Sequence, residues 1–118
     1  MQGAQYIDKV GGVSTKTDFD DAVTIAGEVD RVYTPVGGSS TLITVSEGPK
    51  KLFELTRDNL EQTVVWNPWI EKTKTMADFQ PQDGYKQMLC VEPGQVDGWL
   101  KLEGGDTWEG GQFLRANL

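Results

Sequence analysis

The chain has 118 residues, 37% of them apolar and 25% charged, with a formal net charge of −7. That length supports one small domain with a modest core, and the composition is that of a folded soluble chain, not a disordered one. The acidic balance, without any basic run, excludes nucleic acid and anionic membrane surfaces as expected partners.

Cys90 is the only cysteine, and there is no histidine. An internal disulfide is therefore impossible, and histidine-based triads and metal sites are excluded within these residues. Cys90 lies in an apolar run, where a structural thiol is commoner than a reactive one. No apolar stretch is long enough to span a bilayer, and the first residues lack the apolar core of a secretory signal. A reducing, cytoplasmic setting is the expectation.

Taken in chain order, short runs rich in β-branched and aromatic residues alternate with Gly and Pro breaks at Gly11-Gly12, Gly37-Gly38, Gly48-Pro49, Pro93-Gly94 and Gly104-Gly105. Strands are predicted over residues 4–10, 22–27, 31–34, 41–46, 51–57, 62–66, 86–92, 98–103 and 107–116. In 52–57, Phe53 and Leu55 share one face while Glu54 and Thr56 share the other. The run 41–45 is more continuous and reads as covered on both faces. Residues 70–79, after Pro68, space Ile70, Met76, Ala77 and Phe79 loosely at helical intervals and predict a short helix. Many short strands with little helix predict an all-β fold, an antiparallel β-sandwich in a single domain over 1–118.

Nucleotide-binding and nucleophile-elbow signatures are absent. Asp18, Asp20 and Asp21 form an acidic cluster without the glycine and distal glutamate of a calcium loop, so a solvated loop is expected there. Glu92 ends the apolar run Met88–Val91. In an extended strand it shares a face with Met88 and Cys90. One reading is a partly desolvated carboxylate, raised toward the range of a general base, at the end of a central, covered strand. The other is a glutamate entering solvent before a Pro-Gly turn, and residue pattern alone favours this second reading. The stretch "TVVWNPW" (63–69) sets Trp66 and Trp69 around Asn67-Pro68. Aromatic faces stack on sugar rings and an amide bonds hydroxyls, yet a core aromatic pair at a strand end fits equally well. Asp30, beside Arg31, reads either as half of a surface ion pair or as an acceptor for polyol hydroxyls.

In order, "YIDKV" (6–10), "DRVY" (30–33), "VVWNPWIEK" (64–72), "MADF" (76–79), "YKQMLCVEPG" (85–94) and "GDTWEGGQ" (105–112) resemble the C-terminal part of the glucose-6-phosphate 1-epimerase family. These are hexose-6-phosphate mutarotases, similar to galactose mutarotase. The resemblance covers essentially the whole chain, and "VVWNPWIEK" and "MLCVE" are its most specific segments.

The resemblance implies a large β-supersandwich, of which these residues are expected to be a C-terminal fragment. It implies interconversion of the α and β anomers of a hexose 6-phosphate, with no cofactor. It implies Glu92 as general base, Asp30 as a substrate-binding residue, and Trp66 and Asn67 in a family motif at the substrate. The family's catalytic histidine and its main phosphate-binding arginines are expected upstream, so the isolated chain should be inactive. A non-catalytic carbohydrate-binding or interaction module on the same sandwich is the alternative, and self-association through exposed sheet edges is a further expectation.

Overall fold

The computed structural model describes residues 1–117. Eight strands dominate: β1 (Gln5–Asp8), β2 (Ser14–Thr17), β3 (Val29–Thr34), β4 (Ile43–Glu47), β5 (Lys50–Asp58), β6 (Gln62–Asn67), β7 (Cys90–Gly94) and β8 (Gly111–Ala116). One six-residue helix, α1 (Trp69–Lys74), follows β6, and short 3-10 turns occupy Gly38–Ser40 and Gly84–Gln87. The strands form a five-stranded sheet in the order β2-β1-β3-β6-β7 and a three-stranded sheet in the order β4-β5-β8. Every pairing is antiparallel. This is an all-β architecture consistent with a β-sandwich.

The register of the larger sheet decides which residues share a face. Residues directly opposite across an antiparallel ladder point the same way. Val29, Tyr33 and Val65 fall on one face and, with Ala4, form the buried core cluster, against which Met1, Tyr6, Val23 and Ile25 pack. Tyr33 is fully buried, and its hydroxyl donates to Asp18 Oδ2 at 2.8 Å. Burial pushes the Tyr33 hydroxyl far above its ordinary range, and the bond to Asp18 adds to that. Arg31 extends over the Tyr6 ring, 4.8 Å from its centroid, and donates to the Tyr33 hydroxyl at 3.1 Å.

The two sheets are tied by Arg57. From β5 it donates to Thr63 Oγ1 of β6 at 3.0 Å, and to the carbonyls of Gly38 and Thr41 at 2.6 and 3.1 Å. Its side chain is buried, which weakens the hold of the guanidinium on its proton, against a smaller opposite effect of Glu61. The guanidinium needs those three acceptors because a buried cation without them is costly.

Several predicted elements differ from those observed. Residues 22–27 form no strand. The alternation of Val23 and Ile25 is real, but it packs a loop onto the core instead of joining a ladder. Residues 98–103 are irregular and exposed, and β8 begins only at Gly111. β2 was not anticipated: Ser-Thr-Lys-Thr carries no apolar signal and extends by pairing with β1 after the Gly11-Gly12 turn, where φ is +71° and +116°. The strand expected to be covered on both faces is instead the edge strand β4, with Ile43 buried but Leu42 and Thr44 exposed. The helix ends at Lys74, five residues short of the predicted end. Thr73 and Thr75 turn their hydroxyls onto the carbonyls of Ile70 and Lys72, a local bonding that competes with helix continuation.

Candidate active site

The face of the larger sheet opposite the core cluster carries Asp30, Val32, Val64, Trp66, Cys90 and Glu92. The ladder register places Asp30 opposite Trp66, and Trp66 opposite Cys90, in one row across β3, β6 and β7. The next row runs Ile7, Val32, Val64 and Glu92. Asp30 and Glu92 thus lie diagonally across this face, about 12 Å apart at the backbone from ordinary strand spacing and rise. Trp66 stands between them, half-buried.

Asp30 is half-buried, and its carbonyl accepts from the N–H of Lys9 at 2.9 Å, which holds the end of β3 to the chain leaving β1. Neighbouring Arg31 points to the other face, so the Asp30–Arg31 ion pair considered from sequence does not form. Glu92 is exposed and lies on an edge strand, not on the central, covered strand expected. Pro93, opposite Thr63, lacks an N–H and suits an edge position. That proline was the sequence signal for an edge. Among the described residues neither Asp30 nor Glu92 enters an ion pair.

Cys90 is half-buried beside Glu92. Burial pushes its thiol up, and the charge of Glu92 and a hydrogen bond with it push the same way. The thiol therefore stays protonated at neutral pH, in line with a structural role.

Asn67 follows Trp66 directly, so it points to the opposite face. Its side chain is buried, at 2% exposure, and fully engaged. Nδ2 donates to the carbonyls of Tyr85 and Met88 at 2.8 and 3.0 Å, and Oδ1 accepts from the N–H of Trp69 at 2.9 Å. Both amide donors are used, leaving none for a sugar hydroxyl on this geometry. The sequence reading placed Trp66 and Asn67 in one motif at the substrate; the fold separates them by a sheet. Asn67 instead clamps the turn that leads into β7. Trp69 has a φ of +56°, unusual for a bulky residue. The bond from its N–H to Asn67 and the packing of its ring on Tyr85, centroids 5.1 Å apart, hold it there.

At the other end of β6, Gln62 is buried, and its Oε1 accepts from the N–H groups of Val96 and Asp97 at 3.1 and 3.4 Å. Gln62 and Asn67 therefore fix the two ends of β7 to β6 and set where Glu92 stands. Neither was singled out for this role from sequence. A buried amide at each end of a strand was the available signal.

The acidic cluster behaves differently from the expected solvated loop. Asp18 is buried and accepts from Tyr33 and from the N–H of Asp20, while Asp20 and Asp21 are exposed. Among the described residues no group of three or more potential ligands could hold a metal ion, and no helix is long and apolar enough to cross a membrane.

The sequence of this all-β chain is similar to those of known proteins. The sequence model of the family described as aldose 1-epimerase matches residues 5–115. The chain is 36% identical over 116 residues, 98% of its length, to a protein of Cenchrus ciliaris described as a putative glucose-6-phosphate 1-epimerase, covering 34% of that relative. Proteins of the same description from Haemophilus influenzae and Escherichia coli are 31% and 29% identical over 66% and 76% of the chain, covering 27% and 30% of each. The chain belongs to the aldose 1-epimerase family. It spans about a third of the length of the curated relatives it matches.

Proposed function

We propose that these residues form the base-bearing part of a hexose-6-phosphate mutarotase, with Glu92 as general base and Asp30 and Trp66 as substrate-binding residues. The observation that carries the reading is the placement of Asp30, Trp66 and Glu92 on one face of one sheet, although Asp30 and Glu92 are far apart in sequence. The names of the relatives supply the substrate class.

In this mechanism the sugar ring stacks on Trp66. Asp30 accepts hydrogen bonds from ring hydroxyls and fixes the orientation of the ring. Glu92 takes the proton of the C1 hydroxyl, the bond between C1 and the ring oxygen breaks, and an acid protonates that oxygen. Rotation about C1–C2 turns the aldehyde face, and closure runs the same proton transfers in reverse. With no histidine in these 118 residues, we propose that the acid, a histidine by the family resemblance, comes from outside them, as do most groups binding the phosphate. Asn67 and Gln62 act by position, holding the strand that carries Glu92. The reaction uses no cofactor in this scheme, and cytoplasm is the setting proposed for it.

The test uses an enzyme of the relatives' full length, made by grafting these 118 residues in place of the matching third of the Cenchrus ciliaris relative. Anomer exchange of glucose 6-phosphate is followed by NMR exchange spectroscopy. Glu92→Gln is expected to lower the exchange rate about a hundredfold or more. A Glu92→Gln enzyme exchanging near the parent rate would overturn the assignment. The 118 residues alone are expected to show only the uncatalysed rate. Saturable quenching of tryptophan fluorescence by hexose phosphate without turnover in the grafted enzyme would favour a binding module instead.

A further inference from the structure

The proposed substrate sets an electrostatic problem on the candidate face. A hexose 6-phosphate carries about two negative charges near neutral pH. The face that would receive it already carries Asp30 and Glu92, in a chain of net charge −7. Like charges at this range repel, so an anionic ligand needs a cation close to the two carboxylates.

The cations within the larger sheet are committed to its other face. Lys16 lies opposite Tyr6, on the core side, and is bonded to Asp8. Arg31 lies over the Tyr6 ring. β1, β6 and β7 hold no Lys or Arg. Lys9 differs from both. It follows β1 directly, and its N–H donates to the carbonyl of Asp30 at 2.9 Å. That bond extends the pairing of β1 with β3, in which Ile7 faces Val32 and Asp8 faces Arg31, by one more pair. Lys9 therefore stands beside Asp30, on the side of the sheet that carries Trp66 and Glu92. It is exposed and, among the described residues, enters no ion pair.

We infer that Lys9 binds the phosphate of the sugar and favours phosphorylated over unphosphorylated hexose. One row then runs Lys9, Asp30, Trp66 and Cys90. Lys9 and Trp66 are two strand spacings apart in it, about 10 Å at the backbone, and the long lysine side chain covers much of that gap. A ring stacked on Trp66, with C1 at Glu92 and hydroxyls on Asp30, carries its phosphate on C6, outside the ring. A lysine ammonium is a mobile point charge that meets a phosphate without demanding one fixed geometry. The inference rests on the hexose-phosphate reading above and gives these 118 residues a phosphate contact of their own.

The grafted full-length enzyme tests it with Lys9→Met, which removes the charge and keeps the length, and Lys9→Arg, which keeps the charge. Lys9 is exposed and bonds Asp30 through its backbone, so both variants are expected to fold. Isothermal titration with glucose 6-phosphate and with glucose reads binding alone, because an anomerically equilibrated sugar undergoes no net reaction. Lys9→Met is expected to weaken glucose 6-phosphate about fivefold, the size of one partly solvated ion pair, and to leave glucose unchanged. Lys9→Arg is expected to recover most of the loss, and added salt to shrink the difference between parent and Lys9→Met. Equal affinity of parent and Lys9→Met for glucose 6-phosphate overturns the inference. So does an equal loss for both sugars, which makes Lys9 a contact for hydroxyls or for the fold. A grafted enzyme that binds neither sugar overturns the hexose-phosphate reading and this inference with it. The exchange rate of Glu92→Gln is read separately, so the general-base assignment can fail while the Lys9 contact stands.

Discussion

Trp66 and Asn67 are neighbours in sequence and stand on opposite faces of the same sheet. The tryptophan shares its face with Asp30 and Glu92, while the asparagine is buried on the other side with its amide bonded to three backbone groups. In the proposed mechanism the tryptophan meets the sugar, and the asparagine holds the strand that carries Glu92.

Asn67→Ala is therefore expected to act on folding and on the placement of Glu92. It strands two part-buried carbonyls and frees the strained Trp69 backbone, a loss on the order of 2 kcal/mol. Urea denaturation of the grafted enzyme measures it. If enough enzyme folds to assay, kcat should fall while KM for the hexose phosphate changes little. A raised KM with unchanged stability would put Asn67 at the substrate.

Trp66→Ala is expected to have the opposite signature. Loss of the stacking face should raise KM about tenfold, the equivalent of about 1.4 kcal/mol, with a smaller change in kcat. Trp66→Phe should recover most of the affinity. Steady-state kinetics by coupled or NMR assay separate the two constants. An alanine variant with the parent KM removes Trp66 from the binding surface.

Cys90 reports on Glu92 without any need for substrate. Burial and the adjacent carboxylate both raise its thiol. Glu92→Gln deletes the charge, so the thiol should titrate closer to its ordinary value and react with iodoacetamide about twofold faster or more near pH 8. Burial remains, so the thiol should stay slower than a free cysteine. An unchanged rate would mean that the two side chains do not sense each other in solution.

Asp8 gives a pH dependence of known sign. Lys16 donates to Asp8 Oδ2 at 2.8 Å, and this bond, helped by the N–H of Val10 and opposed by burial, holds the Asp8 carboxyl below its ordinary value of 3.8. A depressed carboxyl stabilises the fold above its unfolded value, and that stability is lost as pH falls through the folded value. The urea midpoint should therefore drop below about pH 4 in the parent, and less so in Asp8→Asn. At neutral pH the variant should be the less stable by a small margin, since Lys16 is half exposed.

Much of the site was legible because strand parity is legible. β6 and the ends of β3 and β7 carry enough apolar and β-branched residues to declare themselves, and the family resemblance is what singles out Asp30 and Glu92 as candidates. Parity also separates Trp66 from Asn67, provided that the strand is taken to continue through the asparagine. What could not be read was set by pairing between distant segments. Ser14–Thr17 becomes a strand only because β1 offers a ladder. Val23 and Ile25 alternate like a strand but have no ladder to join. The exposure of Glu92 follows from β7 lying at an edge, for which Pro93 was the only local sign.

The ladder of β3, β6 and β7 makes this surface a matter of counting. Inserting or deleting one residue anywhere in Gln62–Trp66 would turn Asn67 onto the face of Asp30 and Glu92 and Trp66 into the core, exchanging their two faces in a single step. Length change can be absorbed where no ladder runs, as in the stretches 18–28, 35–42, 75–89 and 95–110. Divergent members of this lineage should therefore differ in length there, while the spacing between Gln62 and Asn67 stays invariant.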